Sequence, residues 1–161
     1  MTSRLFKALL KKRHLDADFL QPQYLSDGDL PDLAKAIDRL ELALSREEKV
    51  MIYGDYDADG VTASTVMYDT LKLFGIKEIA IMLPDRFKDG YGMSQRCVER
   101  AVANGVSLVV TVDCGSNNAA IIDDLRGNGI DTIVTDHHEL SGEVPEAVAV
   151  VNPKRKDCTV R

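Results

Sequence analysis

Five short apolar runs alternate with longer amphipathic stretches from about residue 49 to the end of the 161-residue chain. The runs lie at 50–53, 79–83, 108–112, 132–135 and 148–151. Near-continuous apolar runs of this length are typical of strands that are buried on both faces, as in parallel sheets covered by crossover helices. The pattern therefore predicts an α/β fold with a parallel, doubly wound sheet of about five strands.

The stretches between the runs predict the crossover helices. Apolar residues recur at helical spacing over 63–74, and further helices are predicted over 94–104, with Ser94 as N-cap, and over 117–128. A glycine follows each of the three stretches, where a helix is expected to end. With helices on both faces, the sheet is expected to be Rossmann-like. The pattern does not specify how the last strand is connected.

Two further helices are predicted upstream of the first strand. Residues 3–13 form a strongly basic candidate helix, and a second of about four turns begins near Pro31. A chain of this length suits a single core. We expect residues 1–46 to form an N-terminal helical segment packed on an α/β lobe that spans residues 47–161.

Acidic residues and histidines follow three of the predicted strands. They are Asp55, Asp57 and Asp59 after the first strand, Asp113 after the third, and Asp136, His137 and His138 after the fourth. Because the carboxyl ends of parallel strands share one edge of the sheet, these side chains are expected to converge. Clustered carboxylates repel one another unless a cation lies between them. The cluster therefore predicts a divalent metal pair, and imidazole beside carboxylates suits Mn²⁺ or Mg²⁺ and favours Mn²⁺.

Two of these motifs have other interpretations. Residues 55–60 have the D-x-D-x-D-G start of an EF-hand loop, but Val66 occupies the twelfth position, where an acidic ligand is required. A helix-capping turn would account for one aspartate but not for three. Taken alone, residues 136–138 could equally form a surface turn.

Two more segments are candidates for substrate contact. The loop over 84–92 carries Arg86 and Tyr91, and the turn over 113–118 carries Ser116 and Asn117 ahead of a predicted helix. Arginine and backbone N–H groups at a helix start both suit phosphate. An ordinary exposed loop and simple N-capping remain the alternatives for these four residues.

Several classes of protein are disfavoured. The chain lacks a G-x-G-x-x-G motif after the first strand and a Walker lysine, so a dinucleotide enzyme or a P-loop ATPase is not expected. Its three cysteines form no C-x-x-C pair. The net charge of −6 argues against broad electrostatic binding of nucleic acid. With neither an apolar run long enough to span a membrane nor a secretory signal pattern, the expected location is cytoplasmic, without membrane association.

The sequence resembles the DHH phosphoesterase superfamily, and within it the RecJ-type single-strand-specific 5′→3′ exonucleases. The resemblance rests on residues 53–62, on Arg86 with residues 90–92, on residues 112–115, on 135–138 and on 151–153. It extends upstream through 19–22 and 36–44, so it covers nearly the whole chain. The length of the first motif and the order of the others make it specific.

The resemblance implies two-metal hydrolysis of phosphodiesters, with release of nucleotides from a 5′ end of single-stranded DNA in repair and recombination. It implies Asp57, Asp59, Asp113 and His137 as metal ligands for Mn²⁺ or Mg²⁺. Asp55 and Asp136 would be ligands or would orient them, and His138 would contact the scissile phosphate. The partners implied are single-stranded DNA and, beyond it, a single-strand-binding protein or a helicase.

One departure from the family pattern is expected to matter. RecJ-type enzymes carry a further metal-binding aspartate downstream and a second domain, and this sequence contains neither. We therefore expect an N-terminal lobe with an incomplete metal shell and weak or no nuclease activity alone. The alternatives are a DHH-type phosphodiesterase for oligonucleotides or cyclic dinucleotides, a pyrophosphatase of the same superfamily, or a non-catalytic DHH-like scaffold.

Overall fold

The computed structural model describes residues 4–14, 30–90 and 92–159. Its five strands form one sheet, in which every neighbouring pair is parallel and the order is β2-β1-β3-β4-β5. The strands are β1 (Val50–Gly54), β2 (Ile79–Met82), β3 (Leu108–Val112), β4 (Asp131–Thr135) and β5 (Ala149–Val151). The helices are α1 (Arg4–Lys12), α2 (Leu33–Ser45), α3 (Ala58–Phe74), α4 (Gln95–Ala103) and α5 (Ala119–Gly127).

The central strands β1 and β3 are buried on both faces, as the apolar runs predict. Val50 and Ile52 of β1 point to one face and pack in a core with Leu71 of α3. Met51 and Tyr53 point to the other face, where the helices α4 and α5 cover them. Successive side chains of a strand alternate between faces, so an entirely apolar strand requires helices on both sides. The predicted doubly wound α/β fold is confirmed.

The element boundaries differ from the predicted ones by one or a few residues. β2 ends at Met82 and β5 begins at Ala149, while α4 and α5 are each shorter than predicted. Ser94 occupies the N-cap position of α4 but forms no side-chain cap hydrogen bond. The connection from β4 to β5 contains no helix and passes through bends and irregular backbone. Short polar segments with glycine and proline favour such irregular backbone over a helix.

The order of the strands changes direction between β1 and β3. From β1 the chain crosses to β2 on one side, whereas from β3 it proceeds to β4 on the other side. In register, Val50 of β1 pairs with both Ile79 of β2 and Leu108 of β3. The two crossovers diverge between the carboxyl ends of β1 and β3, which leaves the crevice where open α/β sheets bind ligands.

Within the described residues upstream of β1, helix α2 packs into the core. Ala36 and Ala43 of α2 are buried against the face that also carries Val50. Buried Arg39 reaches from α2 to Asp131 (2.6 Å) and Glu48 (2.6 Å), so it ties the helix to the sheet. No residue of α1 is buried. The resemblance noted over 19–22 lies outside the described residues.

Across the three described ranges, no helix combines the length and the apolar character needed to cross a membrane.

Candidate metal centre

The carboxyl end of β1 supplies two aspartates in fixed positions. Asp55 is buried, and its Oδ1 accepts a hydrogen bond from the backbone N–H of Tyr56 at 2.7 Å. Asp57 is the N-cap of α3, and its Oδ1 accepts from the N–H groups of Asp59 (2.9 Å) and Gly60 (3.0 Å). The bonds from Gly60 and Asp59 hold the pKa of Asp57 below its usual value. Asp57 therefore stays ionised while it caps the helix.

Gly60 allows α3 to start against the end of β1. A Cβ at this position would lie 2.3 Å from the carbonyl oxygen of Asp55. That distance is far below a van der Waals contact distance. The obstructing oxygen belongs to the backbone, so it cannot move aside as a flexible side chain would. The glycine therefore sets how closely the first turn of α3 approaches Asp55.

β3 supplies Asp113, the first residue of a tight turn. Its backbone is left-handed, with φ 59°, which is uncommon for a residue other than glycine. Burial raises the pKa of the Asp113 carboxyl, and the charge of Asp57 acts in the same direction. Gly115 completes the turn with φ 114°, and a Cβ there would lie 2.6 Å from Oγ1 of Thr111. The turn thus holds a carboxylate whose ionised form a nearby cation would stabilise.

Asp136, at the end of β4, organises the residues around it. Its Oδ2 accepts from the backbone N–H of Ser116 at 2.9 Å, and its Oδ1 accepts from those of His137 (2.7 Å) and His138 (3.1 Å). Burial opposes its ionisation, but the hydrogen bonds from Ser116 and His138 outweigh burial and hold the pKa of Asp136 below its usual value. This carboxylate joins the turn after β3 to the end of β4.

The two histidines contact different aspartates. His137 Nε2 lies 2.8 Å from Oδ1 of Asp113, and His138 Nδ1 lies 2.7 Å from Oδ1 of Asp136. The bond to Asp136 raises the pKa of His138. The imidazole of His138 is therefore oriented by Asp136, while that of His137 lies directly against the carboxylate from β3.

Asn152 completes the support of the site from the end of β5. It is fully buried, and its Nδ2 donates to Oγ of Ser116 (2.7 Å) and to the carbonyl of His138 (3.0 Å). Its Oδ1 accepts from the N–H of Lys154 at 2.8 Å. Sequence reasoning assigned this residue no role. The available signal was a polar residue directly after a predicted strand, at the edge where the other polar residues gather.

The predicted convergence of strand ends is present. Among the described residues, candidate ligand atoms fall within 4.8 Å of one another in two groups. One group is Asp55, Asp57 and Asp113, and the other is Asp113, His137 and His138. Asp59 belongs to neither group, but it lines the adjoining cavity of about 560 Å³, together with Asp113 and His137. Asp113 belongs to both groups, which is the position that a ligand shared by two cations would occupy.

The predicted substrate residues have different surroundings. Arg86 is exposed and lies over the ring of Tyr56, with its Cζ 4.5 Å from the ring centroid. The Ser116 hydroxyl is buried and accepts from Asn152, and the Asn117 side chain contacts the loop at Glu139 and Ser141. Ser116 and Asn117 therefore have partners within the protein, and their substrate role stays a prediction. Tyr91 lies outside the described residues.

The known sequences that this chain is similar to include single-stranded-DNA-specific exonucleases. The chain is 42% identical over 147 residues to the single-stranded-DNA-specific exonuclease RecJ of Bacillus subtilis (strain 168), which covers 89% of this chain and 18% of the relative. It is 38% identical over 129 residues to the enzyme of that name from Escherichia coli (strain K12), covering 80% of this chain and 22% of the relative. The chain thus spans about a fifth of the length of these curated relatives.

Solved structures show the same similarity. A crystal structure of exonuclease RecJ bound to manganese matches with a TM-score of 0.74 at 33% identity, covering 83% of this chain and 34% of that chain. RecJ from Thermus thermophilus in complex with Mn²⁺ matches with a TM-score of 0.69 at 30% identity, covering 87% of this chain and 19% of that chain. Residues 49–160, well over half of the sequence, match the family described as "DHH family, N-terminal domain". On this match, the chain belongs to the DHH family.

Proposed function

We propose that this chain is the metal-binding lobe of a RecJ-type exonuclease that hydrolyses single-stranded DNA from its 5′ end with Mn²⁺ or Mg²⁺. The observation that carries the proposal is that carboxylates and imidazoles from the ends of β1, β3 and β4 form two groups that share Asp113, each with its candidate ligand atoms within 4.8 Å of one another. Relatives described as single-stranded-DNA-specific exonucleases support this substrate over oligonucleotides or cyclic dinucleotides, and over a scaffold role.

For the metal ligands we propose Asp57, Asp59, Asp113 and His137. Carboxylate oxygens with one or two imidazoles are donors that suit Mn²⁺ and Mg²⁺. Burial raises the pKa of Asp113 and the charge of Asp57 adds to this effect; a cation at the site would offset both, which supports the assignment. When bound, two cations at such a site activate water for attack at phosphorus and neutralise charge on the departing oxygen.

The other site residues are proposed to contact the substrate phosphate or to hold neighbouring residues in place. Asp136 engages Nδ1 of His138, so contact of His138 with the scissile phosphate would be made by Nε2. The raised pKa of His138 favours its protonated ring, which can donate a hydrogen bond to a phosphate oxygen. Asp55, buried beside Asp57, is proposed to hold the end of β1 in place. Arg86 adds a positive charge at the same edge of the sheet.

We also propose the wider context of the chain. Residues 1–46 are proposed as a helical segment on an α/β lobe of residues 47–161, supported by the packing of α2 through Ala36 and Ala43. We further propose a cytoplasmic location, a role in DNA repair and recombination, and partners such as a single-strand-binding protein or a helicase; the similarity to exonucleases that are specific for single-stranded DNA supports the role in DNA metabolism.

The test is hydrolysis of a 5′-phosphorylated single-stranded oligonucleotide at high protein concentration with Mn²⁺. We expect slow release of nucleotides from the 5′ end, abolished by a chelator and by Asp57→Asn. Asparagine preserves the N-cap of α3, so this variant removes the charge without removing the helix start. The matched control is Asp69→Asn on α3, exposed and about 15 Å along the helix from Asp59. Release that survives both the chelator and Asp57→Asn would contradict the proposal.

A further inference from the structure

The loop that follows β2 presents an aromatic ring to solvent. Phe87 exposes 94% of its surface, and Arg86 and Lys88 on either side of it are exposed as well. Burying a phenylalanine side chain is worth about 1.5–3 kcal/mol, so full exposure forgoes a sizeable stabilisation. An exposed ring flanked by two cations has the chemistry of a surface that binds single-stranded nucleic acid.

The backbone that carries this ring is held in place. The N–H of Phe87 donates to Oδ1 of Asp85 at 3.0 Å, and the N–H of Asp85 donates to Oδ2 of Asp89 at 2.7 Å. Asp89 in turn contacts Arg96 of α4 at 2.7 Å. These bonds close the turn and hold the backbone at Phe87. A backbone that is already ordered loses little conformational freedom when the turn binds a ligand.

The turn lies beside the candidate metal centre. Arg86 stacks on Tyr56, which lies between Asp55 and Asp57 in the chain. β2 pairs with β1, so the loops after these strands are neighbours at the carboxyl edge of the sheet. A strand whose phosphate reaches the carboxylates would therefore pass the turn that carries Phe87.

We propose that Phe87 is a stacking platform for one unpaired base of the substrate strand, with Arg86 and Lys88 beside the adjacent phosphates. This inference rests on the proposed function, because it takes single-stranded DNA as the ligand. Stacking needs an exposed base face, which a single strand offers and the interior of a duplex does not. Stacking on Phe87 therefore does not discriminate between the four bases, but it requires a base to be present.

The test compares two oligonucleotides in the presence of Ca²⁺, which suits the carboxylate site while limiting turnover. One is a 5′-phosphorylated oligothymidylate, and the other has the same length and charge but abasic sites in place of the bases. We expect the protein to bind the oligothymidylate more tightly, by fluorescence anisotropy. Phe87→Ala is expected to weaken that binding about 5- to 150-fold and to leave the abasic strand unaffected. Phe87→Trp is expected to restore the preference.

The matched control is Leu73→Ala, which removes an apolar side chain that is 90% exposed near the far end of α3. Both alanine variants should unfold at the wild-type temperature, because neither side chain is buried. If Phe87→Ala binds the oligothymidylate as the wild type does, stacking is excluded while DNA binding stands. If the wild type binds both strands equally, stacking is again excluded. If it binds neither, the proposed DNA substrate fails together with this inference.

Discussion

Asp113 concentrates three unfavourable features in one residue. It is buried, its backbone is left-handed at φ 59°, and Asp57 lies close enough for its charge to raise the pKa of Asp113. Left-handed backbone in a residue other than glycine costs on the order of 1 kcal/mol or more and persists where the surroundings enforce it. Strain of this kind clusters at functional sites, which agrees with a carboxylate placed to bind a cation.

Gly60→Ala tests the close approach of α3 to β1. The added Cβ would lie 2.3 Å from the backbone of Asp55, so the first turn of α3 must shift. We expect a loss of stability of about 1–3 kcal/mol, measured by urea unfolding, together with weaker Mn²⁺ binding. The control is Gly127→Ala at the end of α5, where a Cβ meets no atom within 4 Å. That variant should be neutral or stabilised by up to about 1 kcal/mol. Equal changes in the stability of the two variants would show that the first turn of α3 does not need to lie this close to Asp55.

Asn152→Ala tests the support of the site from β5. The substitution leaves the carbonyl of His138 and the hydroxyl of Ser116 without their buried donor. We expect a loss of about 2 kcal/mol in the free energy of unfolding. Asn128→Ala is the control, since its Nδ2 donates to the carbonyl of Asp124 at an exposed position. If both variants lose the same stability, Asn152 has no special supporting role.

At the scale of elements, the attachment of α2 depends on ion pairs as well as on apolar contact. Asp32 precedes α2, and its Oδ2 accepts from Arg155 at 2.5 Å and from the N–H of Val150 in β5 at 3.3 Å. Burial alone would raise the pKa of Asp32, but the bonds from Lys35 and Arg155 outweigh it and lower the pKa to about 2. The carboxylate thus joins the start of α2 to the last strand.

This pKa predicts a pH dependence of stability. The pKa of Asp32 is lower in the folded state than its ordinary value of 3.8, so its contribution is complete above about pH 4 and is lost as pH falls toward 2. Asp32→Asn should be about 2 kcal/mol less stable than the wild type near pH 7. Asparagine tolerates the left-handed backbone of this position, φ 57°. The free energy of unfolding of both proteins is measured with urea near neutral pH and at about pH 2.5. The difference in this free energy between the two proteins should be smaller at the lower pH. A constant difference would exclude this role for the carboxylate.

The elements were largely predictable because their signals are local. The all-apolar strands and the helical spacing of 63–74 determine a doubly wound sheet, and the strand ends bring distant aspartates to one edge. The irregular link before β5 was not predictable, because it has no periodicity. The contacts of Asn152 were not predictable from its one signal, a polar residue directly after a predicted strand, because they go to the part-buried carbonyl of His138 and the buried hydroxyl of Ser116, 14 and 36 residues away in sequence.

At the scale of the whole molecule, a metal that binds only the folded protein must stabilise the fold. The candidate ligands come from the ends of β1, β3 and β4, which separate on unfolding. At a free Mn²⁺ concentration of about 100 times Kd, the stabilisation is about 2.7 kcal/mol. We expect the melting temperature to rise with Mn²⁺ in the wild type and in Asp69→Asn, but much less in His137→Ala. A melting temperature independent of Mn²⁺ would show that the strand ends do not form a metal site.

The most direct measurement is a calorimetric titration of the chain with Mn²⁺, repeated with Asp113→Asn and with Asp69→Asn. Asp113 is the residue that both candidate ligand groups share, whereas Asp69 lies outside them. We expect saturable binding of about two ions by the wild type and the Asp69 variant. We expect binding at least about tenfold weaker in the Asp113 variant, which corresponds to a loss of about 1.4 kcal/mol. Absence of saturable binding in the wild type, or an Asp113 variant that binds as tightly, would show that Asp113 does not lie at the centre of a metal site.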